Sequence, residues 1–129
     1  MVLVDTSVWV DFLNGRRCRQ TDLLDDLLTG EFVLTGDLIV AELLQGIRTD
    51  AGYRRTLDAM NCLPFVDMLG RDIAVSSAAN YRNLRQKGVT VRKTIDVMIA
   101  TFCVHNSLPL LHSDRDFDAM AGHLGLRTL

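Results

Sequence analysis

The sequence has few of the residues that stabilise small proteins through disulfides or zinc. Its 129 residues include only three cysteines, Cys18, Cys62 and Cys103, which lie far apart. Their spacing matches neither a zinc site nor a disulfide framework. The three histidines form no cluster either. We therefore expect reduced thiols and a cytoplasmic protein.

Other absences narrow the class of protein further. No apolar run approaches the roughly 20 residues of a membrane helix, and no basic leader with a cleavage site indicates a signal peptide. Glycine-rich nucleotide-binding loops are absent. The formal net charge of −2 argues against binding nucleic acid through bulk positive charge. An acidic site surrounded by basic residues would still be compatible with a nucleic-acid enzyme.

Short apolar segments alternate with helical segments along the whole chain. Strands are predicted at residues 2–4, 32–34, 62–65, 108–111 and 126–129. Helices are predicted at residues 7–14, 22–28, 38–47, 50–60, 71–86, 95–105 and 117–123, with Thr21 and Thr94 as caps. This alternation indicates βαβ units and a parallel sheet, in a single α/β domain spanning residues 1–129.

Four of the 16 acidic residues stand out from their surroundings. Asp5 and Asp114 each follow a buried strand, at the sheet edge where open α/β sheets bind ligands. Glu42 is the only charge in one apolar helix, and Asp96 is the only acid in another. Each has a structural alternative: a cap or turn for the strand-end residues, a buried Glu–Arg pair for Glu42, and the helix N-terminus for Asp96.

If these four carboxylates converge, their mutual repulsion disfavours the fold unless cations neutralise them. An all-oxygen ligand set without His or Cys suits Mg²⁺ or Mn²⁺ better than zinc. Sites of this kind hold one or two ions that generate hydroxide and stabilise charge at a phosphate. The carboxylates therefore predict metal-dependent chemistry on a phosphate.

The order of these motifs resembles the PIN domain family. An apolar strand runs into Asp5-Thr6-Ser7, and the later motifs are Ala41-Glu42-Leu43-Leu44-x-Gly46, Asp96-x-x-Ile99-Ala100 and Ser113-Asp114-x-Asp116-Phe117. More narrowly, the short chain and the segment Arg92-x-Thr94-Ile95-Asp96 are similar to VapC toxins of bacterial type II toxin–antitoxin pairs. The match covers essentially the whole chain, and its specificity lies in the ordered set of motifs.

The resemblance implies a three-layer α/β/α fold with a central parallel sheet of four to five strands. It implies an endoribonuclease, dependent on Mg²⁺ or Mn²⁺, that cleaves tRNA or ribosomal RNA to inhibit translation. A VapB-type antitoxin is expected to wrap the toxin and block the acidic pocket, often with an arginine. A homodimer or a hetero-oligomer with the antitoxin is expected, without membrane attachment.

The resemblance also assigns roles to individual residues. Asp5, Glu42, Asp96 and Asp114 match the acidic quartet of the family, and Asp116 matches its frequent fifth acid. From the residues themselves, we expect Asp5, Asp96 and Asp114 chiefly to hold the metal and to activate water, while Glu42 and Asp116 would complete its coordination directly or through water. The chain has His112-Ser113 where many relatives carry Thr before the acidic turn. Thr6 and Ser113 are expected to order metal-bound water.

Because the centre of the site is acidic, RNA has to be bound by a basic rim. Five cations precede Asp96 in the sequence: Arg82, Arg85, Lys87, Arg92 and Lys93. Arg92 is the preferred phosphate contact, since it lies closest in sequence to the site among the arginines. A second candidate for RNA binding is the basic loop formed by Arg16, Arg17 and Arg19.

Several alternatives stay open. A catalytically inactive PIN-fold interaction protein would show no metal dependence, and a PIN nuclease could process RNA outside a toxin–antitoxin pair. A haloacid-dehalogenase-like phosphatase would need a second Asp where Ser7 stands. A response-regulator receiver domain would need a phospho-acceptor Asp and a Lys after a late strand, and neither is apparent.

Overall fold

The computed structural model describes all 129 residues, as four strands and seven helices. The strands are β1 (Val2–Val4), β2 (Val33–Gly36), β3 (Phe65–Val66) and β4 (Leu110–Leu111). The helices are α1 (Thr6–Leu13), α2 (Arg19–Thr29), α3 (Asp37–Gln45), α4 (Asp50–Asn61), α5 (Arg71–Gln86), α6 (Thr94–His105) and α7 (Arg115–Leu124). None of the helices has the length and apolar content that crossing a membrane requires.

The strands form one sheet in the order β3-β2-β1-β4, and all pairings between neighbours are parallel. In β1, Leu3 lies opposite Leu34 of β2 on one side and Leu110 of β4 on the other. All three residues of β1 are buried. A continuous apolar run is what a central parallel strand covered on both faces requires.

The helices form two layers on opposite faces of this sheet. From β1 to β3 the chain moves across the sheet in one direction. Along this path α1 packs on both α2 and α3, and α3 packs on α4. The chain then returns past β1 to β4, and α5, α6 and α7 pack together. Because crossovers between parallel strands are right-handed, the reversed direction puts this second group on the other face. The predicted three-layer α/β/α fold is confirmed.

Helix α6 is the most deeply packed of the helices. Seven of its 12 residues are buried, among them Ile99, Phe102 and Asp96. Burial of each large apolar side chain contributes about 1.5–3 kcal/mol relative to leaving it in water. The apolar side chains therefore fix the position of α6 in the core, and with it the position of Asp96 in the first turn.

Four of the predicted strands need correction. The second strand spans Val33–Gly36 and not residues 32–34, and the fourth spans Leu110–Leu111 and not residues 108–111. The third strand begins at Phe65 and not at residue 62, because Pro64 has no N–H to donate to a sheet ladder. Only the carbonyl of Pro64 takes part in pairing, and it accepts a hydrogen bond from Thr35 N–H at 3.0 Å. The fifth strand is wrong as an element, since residues 126–129 supply a single bridge between Thr128 and Leu110.

The two predicted threonine caps are also wrong. Helix α2 begins at Arg19, so Thr21 lies within its first turn, and its Oγ1 accepts from the backbone N–H of Cys18, the true cap residue. With this capping hydrogen bond, the helix starts three residues before the predicted position at residue 22. Helix α6 begins at Thr94 itself, and its cap residue is Lys93, which makes no capping hydrogen bond through its side chain.

Candidate functional site

Asp5 and Asp114 follow the adjacent strands β1 and β4, at the point where the order of the strands reverses. The strand ends are in register, since Asp5 N–H donates to the carbonyl of Leu111 at 2.9 Å. Each aspartate also caps the next helix. Asp5 Oδ2 accepts from Ser7 N–H at 3.0 Å, and Asp114 Oδ1 accepts from Asp116 N–H at 2.9 Å. The capping alternative therefore holds for both residues, but each cap uses only one carboxylate oxygen.

Asp5, Glu42 and Asp96, which we call the inner triad, converge from β1, α3 and α6. One ligand oxygen of each lies within 4.8 Å of the others. Asp5 is 3% exposed and Asp96 is 1% exposed. Four of their oxygens are buried without a hydrogen-bond partner: Asp5 Oδ1, Glu42 Oε1 and both oxygens of Asp96. Because unpartnered buried carboxylate oxygens are costly, this arrangement calls for a cation or for protons.

Asp114 and Asp116, the outer pair, adjoin the inner triad through Asp96. Ligand oxygens of these three residues also lie within 4.8 Å of one another. Arg92 faces this side of the site, with Nε 3.0 Å from Asp116 Oδ2 and Nη2 3.5 Å from Asp114 Oδ1. The Arg92 side chain is 66% exposed, and ion pairs that face solvent contribute little to stability.

The ammonium group of Lys93 lies among the carboxylates. Its Nζ is 3.6 Å from Glu42 Oε2, 3.8 Å from Asp96 Oδ1 and 4.0 Å from Asp114 Oδ2. Lys93 therefore faces the acidic centre, although the sequence suggested a basic rim. Glu42 does have an ion-pair partner, but the partner is this lysine and not the arginine of the structural alternative.

Burial, and to a smaller extent the proximity of the carboxylates, alters their protonation. Burial raises the pKa of Asp96 to about 7, where attraction by Lys93 opposes the rise and repulsion by Asp5 and Glu42 adds to it. Burial also raises the pKa of Asp5, against the hydrogen bonds from Ser7 that lower it. Burial lowers the pKa of Lys93, but attraction by Asp96 and Glu42 outweighs this and the net pKa is raised. Without a bound cation, Asp96 thus holds a proton up to about neutral pH.

A family profile described as PIN domain matches residues 2–123 of this chain. The chain belongs to the PIN domain family. Ribonuclease VapC11 of Mycobacterium tuberculosis is 28% identical over 123 residues, which cover 94% of this PIN domain chain and 92% of that protein.

Two solved structures show the same fold. The structure of VapBC2 from Rickettsia felis, bound to a DNA fragment from its promoter, is similar with a TM-score of 0.79 at 17% identity. That likeness covers 100% of this PIN domain chain and 98% of the other chain. VapC20 of Mycobacterium tuberculosis, a sarcin–ricin loop cleaving toxin, has a TM-score of 0.65 at 15% identity, with coverages of 92% and 94%.

The acidic residues of this PIN domain fit a hard divalent cation. The four unpartnered oxygens of the inner triad all belong to carboxylates, the ligand type that Mg²⁺ and Mn²⁺ prefer. A cation at this position would accept lone pairs to which the protein donates no hydrogen bond. The inner triad, with Asp114 beside it, could therefore bind a divalent metal ion.

The hydroxyl groups beside the strand ends have unequal surroundings. Thr6 Oγ1 is buried without a hydrogen-bond partner, whereas Ser113 is exposed. Their roles in ordering water stay predictions. Ser7, to which the sequence assigned no role in the site, joins the two strand ends. Its Oγ donates to Asp5 Oδ2 at 2.6 Å and accepts from Ser113 N–H at 3.0 Å. The second hydroxyl after Asp5 was the available signal.

The predicted RNA-binding cations lie on the surface. Arg82, Arg85 and Lys87 are exposed and form no ion pair with the acidic site. Their contact with RNA stays a prediction. The same holds for Arg92, whose guanidinium is shared with the outer pair and is therefore less available to a phosphate than an unpaired arginine would be.

Proposed function

We propose that this PIN domain is a Mg²⁺- or Mn²⁺-dependent endoribonuclease, a toxin that cleaves tRNA or ribosomal RNA and so inhibits translation. The observation that carries the proposal is the inner triad, with ligand oxygens within 4.8 Å of one another. Further support comes from the similarity of the chain to a VapC ribonuclease and to a toxin that cleaves the sarcin–ricin loop. These RNA substrates would place the activity in the cytoplasm.

Asp5, Asp96 and Asp114 would chiefly hold the cation, with Glu42 and Asp116 completing its coordination directly or through water. When bound, the cation supplies a Lewis acid that lowers the pKa of water and stabilises charge at the phosphate. Asp5 is oriented for this role, because Ser7 holds Oδ2 through its N–H and Oγ while Oδ1 stays without a partner.

Asp96 would exchange a proton for the cation. Burial raises the pKa of Asp96 to about 7, so its carboxyl group must lose a proton before both oxygens can act as ligands. Lys93 would neutralise part of the negative charge until then, since its ammonium lies within 4.0 Å of Glu42, Asp96 and Asp114. We therefore expect binding of the cation to release protons below pH 7.

We further infer that a VapB-type antitoxin neutralises the protein, in a hetero-oligomer or with a homodimer of this chain. The similar VapBC2 structure supports such a partner. A groove of about 560 Å³ between α1, α3 and α4 also supports it, because the groove contains Glu42 and the exposed apolar residues Val10 and Leu13. An apolar segment in this groove would bring an arginine within reach of Glu42, where it would compete with the cation.

The proposal is tested by incubating the purified chain with tRNA and ribosomal RNA and mapping the cleaved ends. We expect cleavage with Mg²⁺ or Mn²⁺ and none with EDTA. Asp5→Asn should abolish cleavage while the chain stays folded, as judged by circular dichroism. Cleavage that persists in EDTA, or full activity of Asp5→Asn, would contradict the metal-dependent mechanism. Absence of cleavage with every metal would favour an inactive interaction protein.

A further inference from the structure

A cavity of about 330 Å³ lies beside the acidic site. It shares Asp114 with that site but includes no residue of the inner triad. The start of α2, the start of α7 and the turn after β4 form its walls, through Arg19, Gln20, Ser113 and Arg115 among others. The sequence alone could not indicate this cavity, because its walls come from distant parts of the chain.

Two arginines of the cavity have no carboxylate partner. Arg19 and Arg115 are exposed, and neither guanidinium has an acidic oxygen within 4.0 Å. The acids that line the cavity face other groups. Asp114 lies next to Arg92 and Lys93, and Asp118 Oδ1 is 3.4 Å from Nε2 of His112. The cavity therefore offers two guanidinium groups that form no ion pair within the protein.

The two other arginines of the predicted basic loop each lie near a carboxylate. Arg16 Nη1 is 3.7 Å from Asp11 Oδ2, and Arg17 Nη2 is 3.9 Å from Asp22 Oδ1. Of the basic loop predicted as a second RNA contact, only Arg19 is without an acidic partner. The structure thus separates Arg19 from the two arginines before it and brings it together with Arg115, which is far away in the sequence.

We propose that this cavity binds the ribose–phosphate backbone of the RNA strand next to the phosphate held at the acidic site, with Arg19 and Arg115 contacting phosphate oxygens. The inference rests on the proposed function. A guanidinium group can donate two parallel hydrogen bonds to a phosphate. Because Asp114 belongs to both sites, a strand held at the inner triad can continue into the cavity past this residue.

The walls of the cavity favour the RNA backbone over the bases. Leu129 is the one apolar residue among them, and no Phe, Tyr or Trp is available for stacking. His112 is buried, and its ring packs on Phe117 with the ring centroids 5.2 Å apart. Contacts to phosphate and sugar position a strand without reading its sequence. The cavity should thus contribute affinity and register but no sequence preference.

The test compares Arg19→Ala/Arg115→Ala with its parent in the Asp116→Asn chain with Mg²⁺, since this chain keeps the inner triad and cleaves the RNA more slowly. Fluorescence anisotropy with several single-stranded RNA sequences is measured over a range of salt concentrations. Each lost phosphate contact should flatten the slope of log K against log salt by about 0.7 and weaken binding roughly four-fold near physiological salt. The loss should be the same for every RNA sequence.

The matched control is Arg54→Ala/Arg71→Ala, which removes the same charge from exposed arginines outside the cavity. Arg19→Lys/Arg115→Lys keeps the charge and should retain most of the salt slope. A salt slope for the Arg19/Arg115 variant equal to that of the control would overturn the inference. This result is independent of the proposed function, which instead fails if the unmodified chain cleaves no RNA with any divalent metal.

Discussion

The inner triad and the outer pair are both acidic, but their oxygens are satisfied differently. In the inner triad, four buried oxygens lack hydrogen-bond partners. In the outer pair, Asp114 accepts from a backbone N–H and Asp116 accepts from Arg92 Nε at 3.0 Å. The inner triad is therefore arranged for a ligand that the protein does not supply, whereas the outer pair is already largely satisfied.

The difference follows from where the residues lie in the fold. Asp5 and Asp96 are placed by a central strand and by the most buried helix, so most of their oxygens are shielded from solvent. Lys93 Nζ lies 3.8 Å from Asp96 Oδ1 but makes no hydrogen bond to it. Asp116 lies on α7 beside the exposed side chain of Arg92, where solvent screens the charges. We infer that the inner triad determines whether a cation binds and that the outer pair mainly adjusts its position.

The largest expected effect is on metal binding and RNA cleavage, when one carboxylate of the inner triad or of the outer pair is neutralised in turn. Asp96→Asn should abolish Mn²⁺ binding in calorimetry and reduce RNA cleavage by more than about 100-fold, because a principal ligand is lost. Asp116→Asn is the matched control, and as an outer ligand it should reduce cleavage by about 10- to 100-fold at most. An equal loss of cleavage in both variants would show that the inner triad and the outer pair contribute alike to metal binding.

A smaller effect is expected in the pH dependence of stability. The pKa of Asp96 is raised from 3.8 to about 7, so the folded chain binds this proton more tightly than the unfolded chain. The resulting stabilisation is fully present below about pH 4 and is lost as the pH rises to about 7. The measurement is urea unfolding in EDTA at several pH values. The contribution of Asp96 should lower the free energy of unfolding by about 3 kcal/mol between pH 5 and pH 8.

The Asp96→Asn chain is the control for this prediction, since its amide has a similar shape and does not titrate. Its free energy of unfolding should depend less steeply on pH than that of the unmodified chain. Parallel curves for the two chains would mean that Asp96 is ionised throughout, and the inner triad would then resemble the outer pair.

The residues of the inner triad could be predicted because each stands out locally. An apolar strand that ends in Asp5 and an apolar helix with one acid, Glu42 or Asp96, are visible in the sequence itself. The order of strands and helices could be predicted for the same reason, except where Pro64 delays the third strand and where residues 126–129 form only a single bridge. These features depend on neighbours in the sequence, which local patterns describe well.

The positions of the basic side chains could not be predicted in the same way. Arg92 and Lys93 are adjacent, yet the first faces the outer pair and the second lies near Glu42 and Asp114. Their directions depend on the extended backbone of Lys93 at the start of α6, with φ −125° and ψ 125°. Arg19 and Arg115 line one cavity only because the fold brings together the starts of α2 and α7, which are far apart in the sequence.

Lys93 offers a further test, because its ammonium group lies near carboxylates of both the inner triad and the outer pair. Lys93→Met keeps much of the aliphatic stem and removes the charge that a metal ion has to replace. Calorimetry should show Mn²⁺ binding about five-fold more tightly, equivalent to roughly 1 kcal/mol for a half-exposed ion pair. The metal-free variant should also unfold at a lower temperature. Unchanged or weaker Mn²⁺ binding would show that the lysine does not compete with the cation.

The smallest effect is expected from Arg92, which belongs to the outer pair alone. Arg92→Ala should lower the free energy of unfolding by less than about 1 kcal/mol, because both ion pairs face solvent. Its salt slope for RNA should change less than that of Arg19→Ala/Arg115→Ala, since its guanidinium is already bound by Asp114 and Asp116. A larger change in slope for Arg92→Ala would mean that RNA displaces these carboxylates. The strand would then run along the outer pair instead of through the cavity.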